Sequence, residues 1–104
     1  VRLYLVTRAD LPAGDQAVQA AHALQQFNVE HPQAARSWFE QSNTLAFLAA
    51  PDETALQRLL DRAFDKGLRA SAFREPDLGD SLTAVAVEPA GARLVRSLPL
   101  ALAG

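Results

Sequence analysis

The chain has 104 residues, with 10 Lys and Arg against 12 Asp and Glu, two His, and neither Cys nor Met. Apolar residues make up 49% and charged residues 21%, which suits one globular domain over residues 1–104 and excludes a disordered chain. Without cysteine there is no disulfide, no thiolate metal site and no cysteine nucleophile, and a formal charge of −2 supplies no overall basic field for phosphates. Lys66 is the single lysine, so the basic groups are otherwise planar Arg forks suited to carboxylate or phosphate.

Val1 to Thr7 is β-branched and apolar on both faces near its middle, which predicts a central strand covered by helices on either side. It reads as a strand rather than a signal peptide. A turn over Asp10-Leu11-Pro12-Ala13-Gly14 leads into a helix from Asp15 to about Glu30. On a helical wheel Ala13, Ala17, Ala20, Ala21, Leu24 and Phe27 share one arc, the expected core face, while Asp15, Gln19, His22 and Gln26 line the opposite one. His31-Pro32 ends this helix, and a short second helix follows over Gln33 to Gln41. Asn43 to Ala50 predicts a strand, and Asp52-Glu53 opens a third helix with Leu56, Leu59, Leu60, Ala63 and Phe64 at core spacing. Lys66-Gly67 closes that helix. A strand at Ala70 to Phe73, a loop over Arg74 to Asp80, a strand at Leu82 to Val87, a turn at Pro89-Ala90-Gly91 and a short helix from Ala92 to Ser97 complete the chain. The fold class is therefore α/β: one mixed four-stranded sheet with helices on both faces, in the order β-α-α-β-α-β-β plus a short terminal helix. The longest apolar stretch, Leu45 to Ala50, is far short of the roughly 20 residues of a membrane span.

Two loops carry polar residues that folding does not require: Arg8 to Asp15, running into the helix with Gln19 and His22, and Glu75 to Thr83. Strand ends and helix N-termini are where α/β proteins bind ligands. Asp15 also serves as an ordinary first-turn acid, Asp77 and Asp80 as turn formers, and His22 as a solvated side chain. No Gly-rich phosphate loop, HExxH, GxSxG or metal-ligand spacing is present, so neither a metal nor another cofactor is expected.

The residues of these loops resemble the type II peptidyl-tRNA hydrolases. The first strand runs into Arg8-Ala9-Asp10-Leu11, then Gly14-Asp15, then Ala17-Val18-Gln19-Ala20-Ala21-His22-Ala23, where the family has Arg-x-Asp-Leu, Gly-Lys and Ala-Ala-Gln-x-x-His-Ala. Later, Glu75 and Gly79 precede Asp80-Ser81-Leu82-Thr83-Ala84-Val85-Ala86 and Pro89, against the family's acidic loop, its Gly-Thr-x-Thr-Val-Leu-Ala strand and a following Pro. The resemblance covers nearly the whole chain.

It implies hydrolysis of the ester between a peptide and the 3′ ribose of tRNA. His22, Glu75, Thr83 and Ser81 are its implied catalytic set, and Arg8, Asp10, Asp15, Gln19, Arg74 and Asp77 its implied substrate contacts. It also implies a cytoplasmic homodimer with peptidyl-tRNA as partner, without membrane or metal. The apolar tail Leu98 to Ala103 with Trp38 and Phe39 is the expected dimer surface. Two departures stand out: Asp15 replaces the family's lysine, exchanging a cation for an anion, and the family's first loop threonine has no counterpart. Glu75, Asp77, Asp80, Asp10 and Asp15 would crowd the cleft with negative charge unless Arg8 and Arg74 offset it. A catalytically degenerate homodimeric binding module of the same fold, or a hydrolase of a smaller ester or amide, is the alternative.

Overall fold

The structure, a computed structural model, describes residues 1–103. In chain order it contains β1 (Arg2–Arg8), α1 (Ala13–Glu30), α2 (Pro32–Gln41), β2 (Thr44–Ala50), α3 (Glu53–Asp65), β3 (Ala70–Glu75), β4 (Ser81–Val87) and α4 (Ala92–Val95). The strands form one sheet in the order β2-β1-β4-β3, with β1 parallel to β2 and antiparallel to β4, and β3 antiparallel to β4. The expected α/β architecture and element order hold.

Strand alternation divides the core between the two faces of the sheet. On one face Leu3, Leu5, Ala84 and Ala86 lie under Ala20, Ala23 and Phe27 of α1 and Ala35 and Trp38 of α2. On the other, Val6, Val85 and Val87 lie under Leu56, Leu59, Leu60 and Ala63 of α3, with Val95 of α4 at the margin. Small side chains on α1 and β4 let that helix approach the sheet closely. The Asp52 carboxylate caps α3 by accepting from the Ala55 amide at 2.9 Å, and Gly67, at φ 71°, turns the chain out of it.

The helical phase of α1 differs from the wheel reading. Gln16, Gln19, Ala20, Ala23 and Phe27 are buried, whereas Ala13, Ala17 and Ala21 face outward. Alanine carries little information about facing; Gln19 is buried because its amide finds partners on β3 and β4, and Gln16 donates through its Nε2 to the first loop. Phe64 is likewise exposed, one residue outside the core arc of α3.

Trp38 is a core residue rather than dimer surface: it is 6% exposed and its indole N–H donates to the Thr44 carbonyl at 2.7 Å. The apolar tail is partly used as well. The Ala49 amide donates to the Pro99 carbonyl at 3.0 Å and the Ala101 amide to Phe47 at 2.9 Å, so Pro99 to Ala101 covers the outer edge of β2. The strand β3 runs on through Glu75, two residues beyond the expected end, and a 3-10 turn over Pro76–Leu78 fills the predicted loop.

These placements separate two phenylalanines. Phe27→Ala should lower unfolding stability by about 3–5 kcal/mol, because Phe27 is fully enclosed. Phe64→Ala should stay within about 0.5 kcal/mol of the parent. Urea midpoints of the two variants provide the comparison.

Candidate functional site

At one end of the sheet, α1 lies across the outgoing end of β3 and the start of β4. Asp15, Gln19 and His22 follow the three- and four-residue helical spacing, so they run along a single flank of α1. Gln19 is the centre of the arrangement. Its Nε2 donates to Glu75 Oε1 at 3.0 Å, and its Oε1 accepts from Thr83 Oγ1 at 2.7 Å. Thr83 Oγ1 also lies 3.3 Å from the Phe73 carbonyl, and the Thr83 carbonyl accepts from Thr7 Oγ1 at 3.2 Å. An inverted Gln19 amide would place its oxygen against the Glu75 carboxylate, so the direction of the chain of bonds is determined by charge.

Thr83 and Thr7 are fully buried and Gln19 nearly so, whereas Glu75 is only half-buried. Glu75 is thus the member of the network that reaches the surface. Its second oxygen accepts from the Asp77 amide at 3.4 Å, a long bond. Gly79 and Asp80, at φ 67° and 59°, close the turn from Glu75 back to β4, and the Asp80 amide donates to the Glu75 carbonyl at 2.9 Å. That turn pairs Ser81 directly with Glu75 across the strands. The His22 ring lies flat on Phe73, with centroids 4.3 Å apart and planes within 9°.

Of the two arginines expected to balance the acids, neither is free at this site. Arg8 Nε and Nη2 bind the two Asp10 oxygens at 2.9 and 3.0 Å, and its Nη1 lies 3.3 Å from the Leu82 carbonyl. The hydrogen bonds from Arg8 hold the Asp10 carboxyl below its usual range against a smaller opposing effect of desolvation, and the same bonds raise Arg8. Arg74 points to the opposite face of the sheet, where it donates to Gln57 of α3 at 3.0 Å, and does not join the cluster. Asp15 is exposed in the first turn of α1 and takes part in no ion pair among the described residues, and Asp77 is exposed at the turn tip. Among the described residues no group of three or more His, Asp and Glu side chains gathers in a metal-holding arrangement.

Four contributors were not singled out by the sequence reading. Thr7 and Phe73 support Thr83 and His22, and Gln16 orders the first loop by donating to the Leu11 carbonyl at 2.7 Å. Glu53, at the start of α3, accepts from the Leu82 amide at 2.7 Å and so pins the strand that carries Thr83. A polar Thr7 inside an otherwise apolar strand was the one visible signal among them.

A family model described as peptidyl-tRNA hydrolase PTH2 matches residues 1–102. The chain belongs to the PTH2 family. No curated protein matches it. Among solved structures, a protein of unknown function, Atu0240 from Agrobacterium tumefaciens strain C58, is similar at a TM-score of 0.67 and 11% identity. The match covers 95% of this chain and 96% of that one, and it concerns the fold alone. This PTH2 domain brings Gln19, His22, Glu75, Ser81 and Thr83 to one end of the sheet, and has Asp15 where the family pattern has lysine.

The Arg8 and Asp10 pair gives a pH prediction. Because the folded pKa of Asp10 is depressed, the pair's stabilisation is present above the unfolded value of about 3.9 and is lost as pH falls through the folded value. An NMR titration should find the Asp10 carboxyl below the usual range, returning to it in Arg8→Ala.

Proposed function

We propose that this PTH2 domain hydrolyses the ester joining the C-terminal carboxyl of a peptide to the 3′ ribose of tRNA, with Glu75 as the base that activates water. The observation that carries this reading is the chain of bonds from Thr83 through Gln19 to Glu75. It aims one carboxylate oxygen and leaves the other, held only by the long bond from Asp77, facing the surface. Glu75 takes a proton as the water oxygen attacks the ester carbonyl. The resulting oxyanion faces the Ser81 hydroxyl and loop amides, and collapse expels the ribose oxygen, which leaves protonated. The protonated Glu75 returns that proton to the departing ribose oxygen, and His22, whose ring is stacked on Phe73 and whose nitrogens bond no group among the described residues, is open to hydrogen-bond the substrate on the same flank. Thr83 and Gln19 are positioning residues in this scheme, since Thr83 is fully enclosed and its hydroxyl is committed to Gln19.

The reading of a non-catalytic binding module draws support from one specific observation: Asp15 stands at the lysine position, and the charge of Arg8 is already taken by Asp10. The two readings differ in assay. With the hydrolase, the parent protein releases peptide from peptidyl-tRNA, and Glu75→Gln lowers kcat by about 100-fold or more. Asp15→Lys then raises kcat/KM roughly tenfold at low salt, with the gain shrinking as salt rises, because it replaces repulsion of phosphate with attraction. No release by the parent or by folded Asp15→Lys establishes the module instead.

Assembly and location belong to the same proposal. Phe39, Leu45, Leu100 and Leu102 remain exposed around the β2 edge, which supports a homodimer joined there. Light scattering at high micromolar concentration should return twice the chain mass, and a monomer mass overturns this. A substrate made at the ribosome supports a cytoplasmic site of action.

A further inference from the structure

We infer that Arg58 and Arg62 of α3, with Ser97 beyond α4, form a cleft that binds the phosphate backbone of RNA, an inference that rests on the tRNA reading above. The cleft has a volume of about 210 Å³ between α3 and the segment after α4, with Ala50, Leu59 and Leu98 as its apolar floor. Residues four apart on a helix stand about 5–6 Å from each other on one face, so the two guanidinium groups present adjacent planar forks. Neither arginine is in an ion pair among the described residues, although Arg8, Arg36 and Arg69 all are.

The charge around the cleft has the sign an RNA backbone needs. Lys66 lies one turn beyond Arg62, and Arg93 and Arg96 flank the cleft on the α4 side; no acid occurs from Ala92 to the end of the chain. The acids of α3 offset this only in part. Asp52 and Glu53 are at the far end of the helix, on the Ala55 and Leu82 amides, and Asp61 and Asp65, three residues beyond Arg58 and Arg62, answer two of the five cations. At the catalytic end the balance is reversed: with Arg8 and Asp10 cancelling each other, Asp15, Glu75, Asp77 and Asp80 remain. RNA phosphates are repelled there and attracted along α3.

The two regions lie at the same end of the sheet, on its opposite faces. Ala50, in the floor of the cleft, accepts from the Ala9 amide at 2.8 Å, and Ala9 opens the loop that leads to Asp15. A tRNA held by α3 and α4 can therefore extend its ester end around the end of β1 and β2 towards Glu75.

Binding of uncharged tRNA, followed by fluorescence anisotropy over a salt series, tests this apart from hydrolysis. Replacing both arginines, as Arg58→Gln with Arg62→Gln, should weaken binding about tenfold or more at low salt and reduce the slope of log affinity against log salt by roughly 1.5. Arg58→Lys with Arg62→Lys should restore most of that slope, because charge rather than fork geometry sets it. An unchanged affinity and slope in the double Gln variant overturns the inference while leaving the hydrolase reading intact. Tight, arginine-dependent tRNA binding by a parent that releases no peptide upholds the cleft and removes the hydrolase. Poly-glutamate that binds the parent as tightly as tRNA, and loses as much in the double variant, overturns it in favour of an acidic protein partner.

Discussion

The buried amide of Gln19 is the constraint on which the packing of α1 against β3 and β4 depends. A primary amide taken out of water costs several kcal/mol unless both of its ends are bonded. Here the oxygen is met by Thr83 from β4 and the nitrogen by Glu75 from β3. One side chain of α1 is thereby tied to two neighbouring strands, and the helix cannot rotate or slide on the sheet without leaving a buried donor or acceptor unpaired. The same requirement explains the helical phase. Turning α1 so that Ala13, Ala17 and Ala21 faced inward would bury little area and would expose the partners of Gln19. The interaction also acts on the acid: because Gln19 is held from behind by Thr83, and Thr83 by Thr7, the Glu75 carboxylate inherits the rigidity of the sheet.

A second constraint is electrostatic. The Arg8 fork closes on Asp10 and on the end of β4, which braces the first loop and removes its charge from the region where a phosphate would approach. Asp15 adds an acid to the first turn of α1, a placement that stabilises the helix through its dipole while disfavouring an anionic ligand nearby. Local stability and attraction of RNA oppose each other at this position. Arg58 and Arg62 of α3, which are in no ion pair among the described residues, lie on the opposite face of the sheet from Asp15.

The fold was legible where side-chain pattern and backbone punctuation agree. His31-Pro32, Asp52-Glu53 and Lys66-Gly67 each mark a helix end by a mechanism that acts locally, and the observed ends lie within a residue or two of them. The phase of α1 was not legible, because an alanine-rich helix has several arcs of nearly equal apolarity and the deciding contacts come from β3 and β4. Trp38 and Phe39 are adjacent and equally apolar, and only the position of α2 on the sheet determines that the first is enclosed and the second is not. At the site, residue identities were visible from the two loops, but their connection was not: Gln19 reads as a polar surface residue until Thr83 and Glu75 are placed on either side of it. Arg74 reads as a neighbour of Glu75, and strand alternation sends it to the other face of the sheet.

The network carries one more implication about Glu75. If the bonds served packing alone, the requirement would end at the Gln19 nitrogen, which any neutral acceptor satisfies, including a backbone carbonyl. A carboxylate in that position carries a charge and a second oxygen that packing does not need. The second oxygen is held only by a 3.4 Å contact to the Asp77 amide, on a residue that is half-buried rather than enclosed. A carboxylate anchored through one oxygen and accessible through the other is suited to orienting a water or a donor from a ligand, because the anchor sets its direction while the second oxygen stays open to a partner. The lysine position and the carboxylate are therefore separable parts of the site. Exchange of the cation for Asp15 alters what approaches, and the geometry that aims Glu75 is built wholly from α1, β3 and β4.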